Sequence, residues 1–163
     1  MARSDGRAAA AGLVLAALVA GCGYSFAAGK GRMPPGAERV QVAPLSNQTA
    51  DAEAGALGAA ALREELARRG SAGGADAPAR IEGTVLRITF GPSTPDAATY
   101  RLVLEVQVRL VVEGKVAAEQ TARRQQDYLG EVDALASEGR RRLALRQAAA
   151  DLAREVVERF ETP

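Results

Sequence analysis

The polar and apolar residues from Thr99 to Glu113 alternate more clearly than those of any other segment of the chain. The even positions are all apolar, and most of the odd positions carry charged or amide side chains. Because successive side chains of a strand point to opposite faces, this pattern predicts a strand with one buried face and one wet face. The even positions are Tyr100, Leu102, Leu104, Val106, Val108, Leu110 and Val112, and the odd positions include Arg101, Glu105, Gln107, Arg109 and Glu113.

Two further strands flank this alternating segment. The first covers residues 81–90 and ends at Gly91-Pro92, since proline cannot donate a hydrogen bond to a strand ladder. Glu113-Gly114-Lys115 predicts a tight turn, after which residues 116 to about 125 pair back as the second arm of a hairpin. The three strands together predict an antiparallel meander.

A short strand and a turn precede the meander. Residues 39–44 alternate polar and apolar side chains, and Pro44 ends the strand that this pattern predicts. Residues 46–49 and Asp51 carry side-chain oxygens, which favour a turn and the N-cap of a following helix. Because that helix separates the short strand from the meander, we expect the short strand to pair in parallel with a later strand.

Two amphipathic helices complete the pattern. Residues 52–69 are rich in Ala, Leu, Glu and Arg and stop at Gly70, and residues 133–160 carry a longer apolar stripe opposite an Arg- and Glu-rich face. Residues three and four apart lie on one side of a helix, so each stripe predicts a buried face. The predicted buried positions are Ala59, Leu62 and Leu66 in the first helix and Leu145, Ala149, Leu152, Val156 and Phe160 in the second.

The order of these elements is strand, helix, three strands and helix, which predicts an α+β fold. Both helices need an apolar surface to cover, and the meander offers one apolar face. We therefore expect a two-layer sandwich, with two helices packed on one face of a four-stranded mixed sheet. In this arrangement Leu104 and Val106 should be buried against Leu152 and Val156.

The N-terminal residues predict a lipoprotein signal peptide. Arg3 and Arg7 give a positively charged start, and residues 8–20 carry no charge. This run is too short to cross the hydrocarbon core of a membrane, which takes about 20 helical residues. Small residues at positions 20 and 21 precede Cys22 and resemble the lipobox of bacterial lipoproteins, whose cysteine is acylated and begins the mature chain. The alternative is an ordinary signal peptide followed by a free cysteine.

The mature chain would then begin with a lipid anchor. We expect a signal peptide over residues 1–21, a lipid-anchored tether rich in Gly and Pro over residues 22–37, and one α+β domain over residues 38–161. Several acyl chains would hold Cys22 firmly in a membrane, at about 0.8 kcal/mol per buried CH₂. In the general lipoprotein pattern, a Gly after the cysteine, here Gly23, favours the outer membrane over the inner one.

Composition narrows the chemistry of the chain. The 21 basic and 20 acidic side chains give a net charge of +1, so nothing favours nucleic acid as a partner. The chain has no histidine and a single cysteine, which excludes most metal sites, histidine-dependent nucleophiles and an intramolecular disulfide. We expect no cofactor, no metal and no catalytic residue. Tyr24, Tyr100 and Tyr128 are isolated and are interpreted as packing or interface residues.

Short motifs spread along the chain resemble the LptE family of lipopolysaccharide-assembly lipoproteins. They begin with Cys22-Gly23-Tyr24-Ser25-Phe26, followed by a Gly/Pro tether and then by Val40-x-Val42-x-Pro44 with Asn47-x-Thr49. The resemblance covers nearly all of residues 22–160. It includes residues 60–66, 81–85 and 100–102, together with the terminal helix.

This resemblance implies two helices on one face of a four-stranded sheet, in agreement with the residue pattern. It also implies a non-enzymatic role. Family members sit inside the lumen of the LptD outer-membrane barrel, help that barrel to assemble and contact lipopolysaccharide on its way to the cell surface. The chain is therefore expected to be lipid-anchored on the periplasmic side of the outer membrane, with an LptD-like barrel and lipopolysaccharide as partners.

Four arginines are candidate contacts to the barrel or to lipopolysaccharide. Arg101 and Arg109 lie on the predicted wet face of the long strand, and Arg123 and Arg124 lie near the end of the last strand. Arginine suits such contacts because its planar fork donates two parallel hydrogen bonds to phosphate or carboxylate groups.

Two positions depart from the pattern of well-known relatives. Those relatives carry a basic residue in the loop that corresponds to residues 91–98 and another early in the last helix. Here that loop has no Arg or Lys, and Ala136-Ser137 is uncharged. Nearby substitutes are Arg101, Arg123-Arg124 and the run Arg140-Arg141-Arg142, although a run of this kind is more commonly a solvated helix face.

Two alternatives to an LptE-like role remain open from the residues. Outer-membrane activators of cell-wall synthases of the LpoB type share the opening of strand, proline, Asn-x-Thr and amphipathic helix, and they would expose a partner-binding patch to the periplasm. Their later helices and strands usually alternate, whereas three strands follow in succession here. The other alternative is a lipid-anchored enzyme, for which the sequence offers no nucleophile and base pair.

Overall fold

The structure, a computed structural model, describes residues 32–94, 98–130 and 133–161. The predicted signal peptide, Cys22 and most of the tether lie outside the described residues. The helices and strands in chain order are β1 Val40–Val42, β2 Ser46–Asn47, α1 Ala54–Arg69, β3 Ala79–Pro92, β4 Thr99–Val112, β5 Lys115–Leu129 and α2 Ala134–Phe160.

The strands form one mixed sheet in the order β1-β3-β4-β5, with β2 also paired to β3. β1 and β2 run parallel to β3, and β3, β4 and β5 form an antiparallel meander. This arrangement confirms the predicted α+β sandwich, including the parallel pairing of the first strand.

The sheet has a fifth short strand that the sequence pattern did not predict. Ser46 and Asn47, which were expected in a turn, pair with Thr84 and Val85 of β3. Pro44 interrupts the first strand, but β3 extends well beyond the three residues that β1 covers, so its ladder remains open to a second short segment.

The hairpin between β4 and β5 is tighter and longer than predicted. Val112 pairs with Lys115, so only Glu113 and Gly114 form the turn, and both have positive φ angles of 48° and 81°. Positive φ at both positions gives a turn whose twist matches that of the strands. β5 then continues to Leu129 rather than to about residue 125, because its polar last residues still pair with the start of β4.

The predicted alternation of β4 describes its burial well except at its two ends. Leu102, Leu104, Val106, Val108 and Leu110 are each at most 2% exposed. The exceptions are Tyr100, which is 38% exposed at the open end of the sheet, Val112, which is only partly buried, and Val111, which is 5% exposed beside a register shift in the pairing with β5.

Helix α1 shows the predicted buried stripe and C-terminus, but its N-cap differs. Its first-turn oxygen comes from Asp51, whose Oδ1 accepts a hydrogen bond from the backbone N–H of Glu53 at 3.1 Å. Glu53 itself occupies the N-cap position and makes no side-chain cap. Gly70 ends the helix with φ of 76°, a conformation that glycine adopts without steric cost.

Helix α2 starts and packs as predicted. The Asp133 carboxylate accepts hydrogen bonds from the backbone N–H groups of Leu135 and Ala136, both at 3.3 Å, which caps the first turn. The five predicted stripe residues are all buried, and Leu152 and Val156 belong to the same core cluster as the even residues of β4. Neither helix of the described ranges is long and apolar enough to span a membrane.

One buried charge joins the ends of the two helices. Glu65 of α1 is 4% exposed and accepts a hydrogen bond from Arg69 Nε at 2.6 Å. Arg69 Nη1 also donates to Glu161 Oε2 at 2.5 Å, just beyond the end of α2. Burial opposes the charged form of Arg69, but the hydrogen bond and charge of Glu65 and the charge of Glu161 outweigh it and raise the pKa of the guanidinium. Arg68 also forms an ion pair with Glu65 Oε2, so two arginines balance a carboxylate that would otherwise be costly to bury.

The register of β4 can be tested by placing one carboxylate on each face. We expect Leu104→Asp to lower the free energy of unfolding by about 3 kcal/mol or more, because the new carboxylate would be buried without a partner. Gln107→Asp, on the exposed face of the same strand, should change it by about 0.5 kcal/mol or less. Urea denaturation followed by circular dichroism measures both values, and equal losses would show that the register is wrong.

Candidate binding surface

The two helices pack on the same side of the sheet and leave its other side uncovered within the described ranges. We call this other side the open face, meaning the side chains of β3, β4 and β5 that point away from the helices. The alternation of β4 creates it, since the even residues enter the core while Arg101, Gln107 and Arg109 stay partly or fully exposed.

Charged side chains of opposite sign stand side by side across the open face. Residues directly opposite each other on neighbouring strands are close enough to interact, so the sign of each neighbour matters. The central part of the open face consists of three cross-strand rows, Glu82–Arg109–Glu119, Thr84–Gln107–Thr121 and Arg87–Glu105–Arg123.

Several of these neighbours form hydrogen bonds. Arg109 Nη2 lies 2.8 Å from Glu82 Oε2, and Arg80 Nε lies 2.6 Å from the other oxygen of the same carboxylate. Gln107 Nε2 donates to Glu119 Oε1 at 2.9 Å. The face therefore holds two separate sets of paired polar groups near the middle of β4, Arg80–Glu82–Arg109 and Gln107–Glu119.

A separate two-pronged pair lies near one end of the sheet. Arg101 donates to both oxygens of Asp127, from Nε at 2.9 Å and from Nη2 at 3.2 Å. The hydrogen bond and the charge of Arg101 lower the pKa of Asp127. Both side chains remain more than 40% exposed, so the pair is available to a partner.

The open face as a whole is polar and nearly neutral. Its arginines slightly outnumber its carboxylates, and the two kinds are interleaved rather than clustered. Such a surface favours a partner that is itself polar with mixed charge over a strongly anionic or cationic one. The charged residues are Arg80, Arg87, Arg101, Arg109 and Arg123 with Glu82, Glu105, Glu119 and Asp127.

The structure brings three of the four candidate arginines to the open face. Arg101 and Arg109 lie on β4, eight residues and therefore roughly 27 Å apart, and Arg123 lies between them on β5. Arg124 points to the opposite side, where its Nη2 lies 2.6 Å from Glu155 Oε2 of α2. Because neighbouring residues of a strand face opposite ways, Arg123 and Arg124 cannot act as one basic pair.

A polar groove that the sequence analysis did not identify runs beside the open face. It measures about 330 Å³ and lies where the chain between β1 and β2 crosses the edge of β3. Pro44 and Ser46 form one wall, and Glu82, Gln107 and Arg109 form the other. The only sequence feature that indicates this groove is Pro44, which interrupts the first strand and leaves a gap beside β3.

The end of the sheet near the start of α2 carries exposed aromatic residues. Tyr100 and Tyr128 stack with ring centroids 5.8 Å apart, and the Arg141 guanidinium lies over the Phe90 ring at 4.7 Å. Phe90 and Tyr100 are 39% and 38% exposed, so these rings are not part of the main core.

Arg141 is not the solvated side chain that the sequence predicted. Its Nη1 donates to Asp51 Oδ2 at 2.8 Å, and its Nε and Nη2 donate to Glu138 at 2.7 Å each. The pKa of Glu138 is lowered to about 2, and the hydrogen bonds that it accepts from Arg141 are the largest cause. Arg142 also contacts Glu138, at 3.1 Å. The first turns of α2 thus hold the loop before α1 in place, because one arginine bridges both.

Solved structures with a similar fold come from several bacterial proteins. A candidate lipoprotein from Caulobacter crescentus aligns with a TM-score of 0.61 and 17% identity, over 77% of this chain and 89% of that chain. The PelC dodecamer from Paraburkholderia phytofirmans aligns with a TM-score of 0.56 and 18% identity, over 82% of this chain and 94% of that chain. The rare lipoprotein B from Shewanella oneidensis aligns with a TM-score of 0.51 and 18% identity, over 75% of this chain and 92% of that chain. At these identities the similarity shows a shared fold.

A sequence comparison identifies the family. No curated protein sequence matches the chain significantly. The family model described as LptE, lipopolysaccharide-assembly, matches residues 37–160, which span the whole of the described fold from before β1 to the end of α2. The chain therefore belongs to the LptE lipopolysaccharide-assembly family.

Proposed function

We propose that this protein is a non-enzymatic outer-membrane lipoprotein that serves as plug and assembly partner of a lipopolysaccharide-exporting barrel of the LptD type. In this role it aids the delivery of lipopolysaccharide to the cell surface. Membership of the LptE family supports the proposal, and the solved structure of rare lipoprotein B supports it through the shared fold.

The open face is the observation that carries this proposal. The interior of a large outer-membrane barrel is polar, so a protein that fills it needs a polar surface without a large net charge. The three cross-strand rows centred on Gln107 offer hydrogen-bond donors and acceptors, place charges of opposite sign opposite each other, and include the ion pair Arg109–Glu82. A surface of this kind can form many hydrogen bonds with a barrel wall, and its interleaved charges keep the net charge small.

Arg101 and Arg109 are the proposed contacts at the two ends of this surface. Each is about half exposed and is already oriented by a carboxylate of its own chain. Arg123 occupies the middle of the face and makes no ion pair within the ranges that the structure describes. Arg124 is left out of the proposed contact because it is bound to Glu155 on the helix side.

The membrane attachment is proposed to be an acylated Cys22. The acyl chains would lie in the periplasmic leaflet of the outer membrane, and the Gly/Pro tether that follows would let the folded domain reach its partner. Anchoring also keeps the domain near every barrel in the same membrane, which raises its effective concentration there.

The anchor can be tested by the intact mass of the native protein extracted from membranes. We expect a chain that begins at Cys22 and carries several acyl chains. The Cys22→Ser variant is the matched control and should keep its signal peptide or lose its membrane attachment. A native chain with residues 1–21 still attached, or with an unmodified Cys22, would refute this part of the proposal.

The contact surface can be tested by reversing two of its charges. We expect the double variant Arg101→Glu and Arg109→Glu to recover less of the barrel when the tagged protein is purified from membranes. Removing buried, paired charges at an interface commonly costs 2–5 kcal/mol, so we expect a loss of roughly tenfold or more. Circular dichroism should show that the variant remains folded, because both side chains are exposed.

A double variant on the helix side is the matched control for this experiment. Arg63 and Arg146 are exposed residues of α1 and α2, and reversing both changes the net charge by the same amount away from the open face. We expect this control to recover the barrel normally. Equal recovery by both double variants, or recovery of a cell-wall synthase in place of the barrel, would contradict the proposal.

A further inference from the structure

The outer edge of β5 is unpaired among the described strands. β5 is the last strand in the sheet order and pairs only with β4. From Ala118 to Leu129 this pairing has no register shift, so the edge is a regular strand of about 12 residues. Its outward N–H and C=O groups form a row that can accept another strand.

The side chains along this edge are complementary to themselves. Glu119, Thr121 and Arg123 are spaced two residues apart, and all three are exposed on the open face. If a second copy pairs antiparallel with Thr121 opposite Thr121, then Glu119 of each copy stands opposite Arg123 of the other. The two-fold symmetry produces this ion pair twice.

Neighbouring registers lack this complementarity. Shifting the centre by two residues places either Glu119 or Arg123 opposite its own copy, which brings like charges together. Shifting it by one residue, to position 120 or 122, leaves both charges opposite uncharged residues. Only the register centred on Thr121 pairs these two residues with each other.

A register centred on Gln125 is the remaining competitor. It would place Arg123 of one copy opposite Asp127 of the other. Both oxygens of Asp127 already accept hydrogen bonds from Arg101, whereas Glu119 accepts one hydrogen bond, at Oε1, from Gln107 within the described structure. Arg123 has no ion pair there. Arg123 therefore finds a more available carboxylate in Glu119.

The helix-facing side of the edge also accommodates a second copy. In the same register Ala118 stands opposite Arg124, and Ala122 stands opposite Gln120. The long side chains are drawn to their own helix, since Gln120 Nε2 donates to the Val156 carbonyl at 2.9 Å and Arg124 pairs with α2. A small residue opposite each long one leaves room for the two strands to approach.

We propose that two copies of this chain associate through their β5 edges, antiparallel and with Thr121 on the two-fold axis. The pairing joins the two sheets into one and covers both exposed edges. It goes beyond the proposed barrel contact and competes with it for Glu119 and Arg123, so the paired copies are copies that are not seated in a barrel.

Disulfide trapping of the purified full-length chain in detergent tests the register. Thr121→Cys should give a covalent dimer under mild oxidation, because opposed residues of antiparallel strands have Cα atoms about 4.5–5.5 Å apart, within the range of a disulfide. Glu119→Cys and Gln125→Cys lie on the same face, but in this register position 119 is roughly 13 Å and position 125 roughly 27 Å from the same position of the other copy. We expect at least about fivefold less dimer from both.

The unsubstituted chain, which keeps Cys22, gives the background of this assay. A Thr121→Cys yield no higher than that background, or no higher than that of Glu119→Cys, would overturn the proposal. A dominant dimer of Gln125→Cys would overturn it as well, because it would establish the competing register.

Sedimentation velocity of the same full-length chain tests the ion pairs. Glu119→Arg places two arginines opposite each other twice, and we expect it to raise the dimer dissociation constant by about tenfold. The swapped variant Glu119→Arg with Arg123→Glu restores both pairs and should return the constant to within about threefold of the original value. A monomer at every concentration, or a swapped variant as weak as the single one, would refute the pairing.

Discussion

The structure depends on one constraint, which is that the apolar face of β4 must be covered. Five of its residues from Leu102 to Leu110 are almost fully buried, and full burial of a Val or Leu side chain is worth about 1.5–3 kcal/mol. The cover comes from α2, which lies against β4 and β5, while α1 lies beside it against β1 and β3, and both stripes belong to the same core cluster. Since both helices are needed on this side, the opposite side stays exposed and must be polar. The surface proposed to bind the barrel is thus a direct consequence of how the core is built.

Most of the fold could be predicted from periodicity because each element has one buried side. The alternation of β4 and the stripe of α2 gave the right elements and the right buried residues. The errors fall where burial does not follow the local period. Tyr100 lies beyond the cover of the helices, and Val111 lies at a register shift. The strand Ser46–Asn47 forms because it can pair with Thr84 and Val85 of β3, and the residue pattern around Ser46 does not indicate this pairing.

The candidate surface was only partly predictable for the same reason. Arg101 and Arg109 were placed correctly from the parity of one strand, and Arg123 and Arg124 were grouped although parity separates them. The pairing of Arg141 with Asp51 joins residues 90 positions apart, so the sequence run around Arg141 gave no sign of it. The register between strands decides which charges meet, as in the row Glu82–Arg109–Glu119, and that register is a property of the folded sheet. Membership of the LptE family gives this surface a biological setting.

Crosslinking in living cells tests the central claim most directly, because it asks which protein touches the open face. A photoreactive amino acid replaces Gln107, in the middle of that face, and in a second strain it replaces Arg146 on the outer side of α2. The account predicts that position 107 forms an adduct with an outer-membrane barrel involved in lipopolysaccharide export and that position 146 does not. An adduct of the barrel at position 146 alone, or an adduct of a cell-wall synthase at position 107, would contradict it.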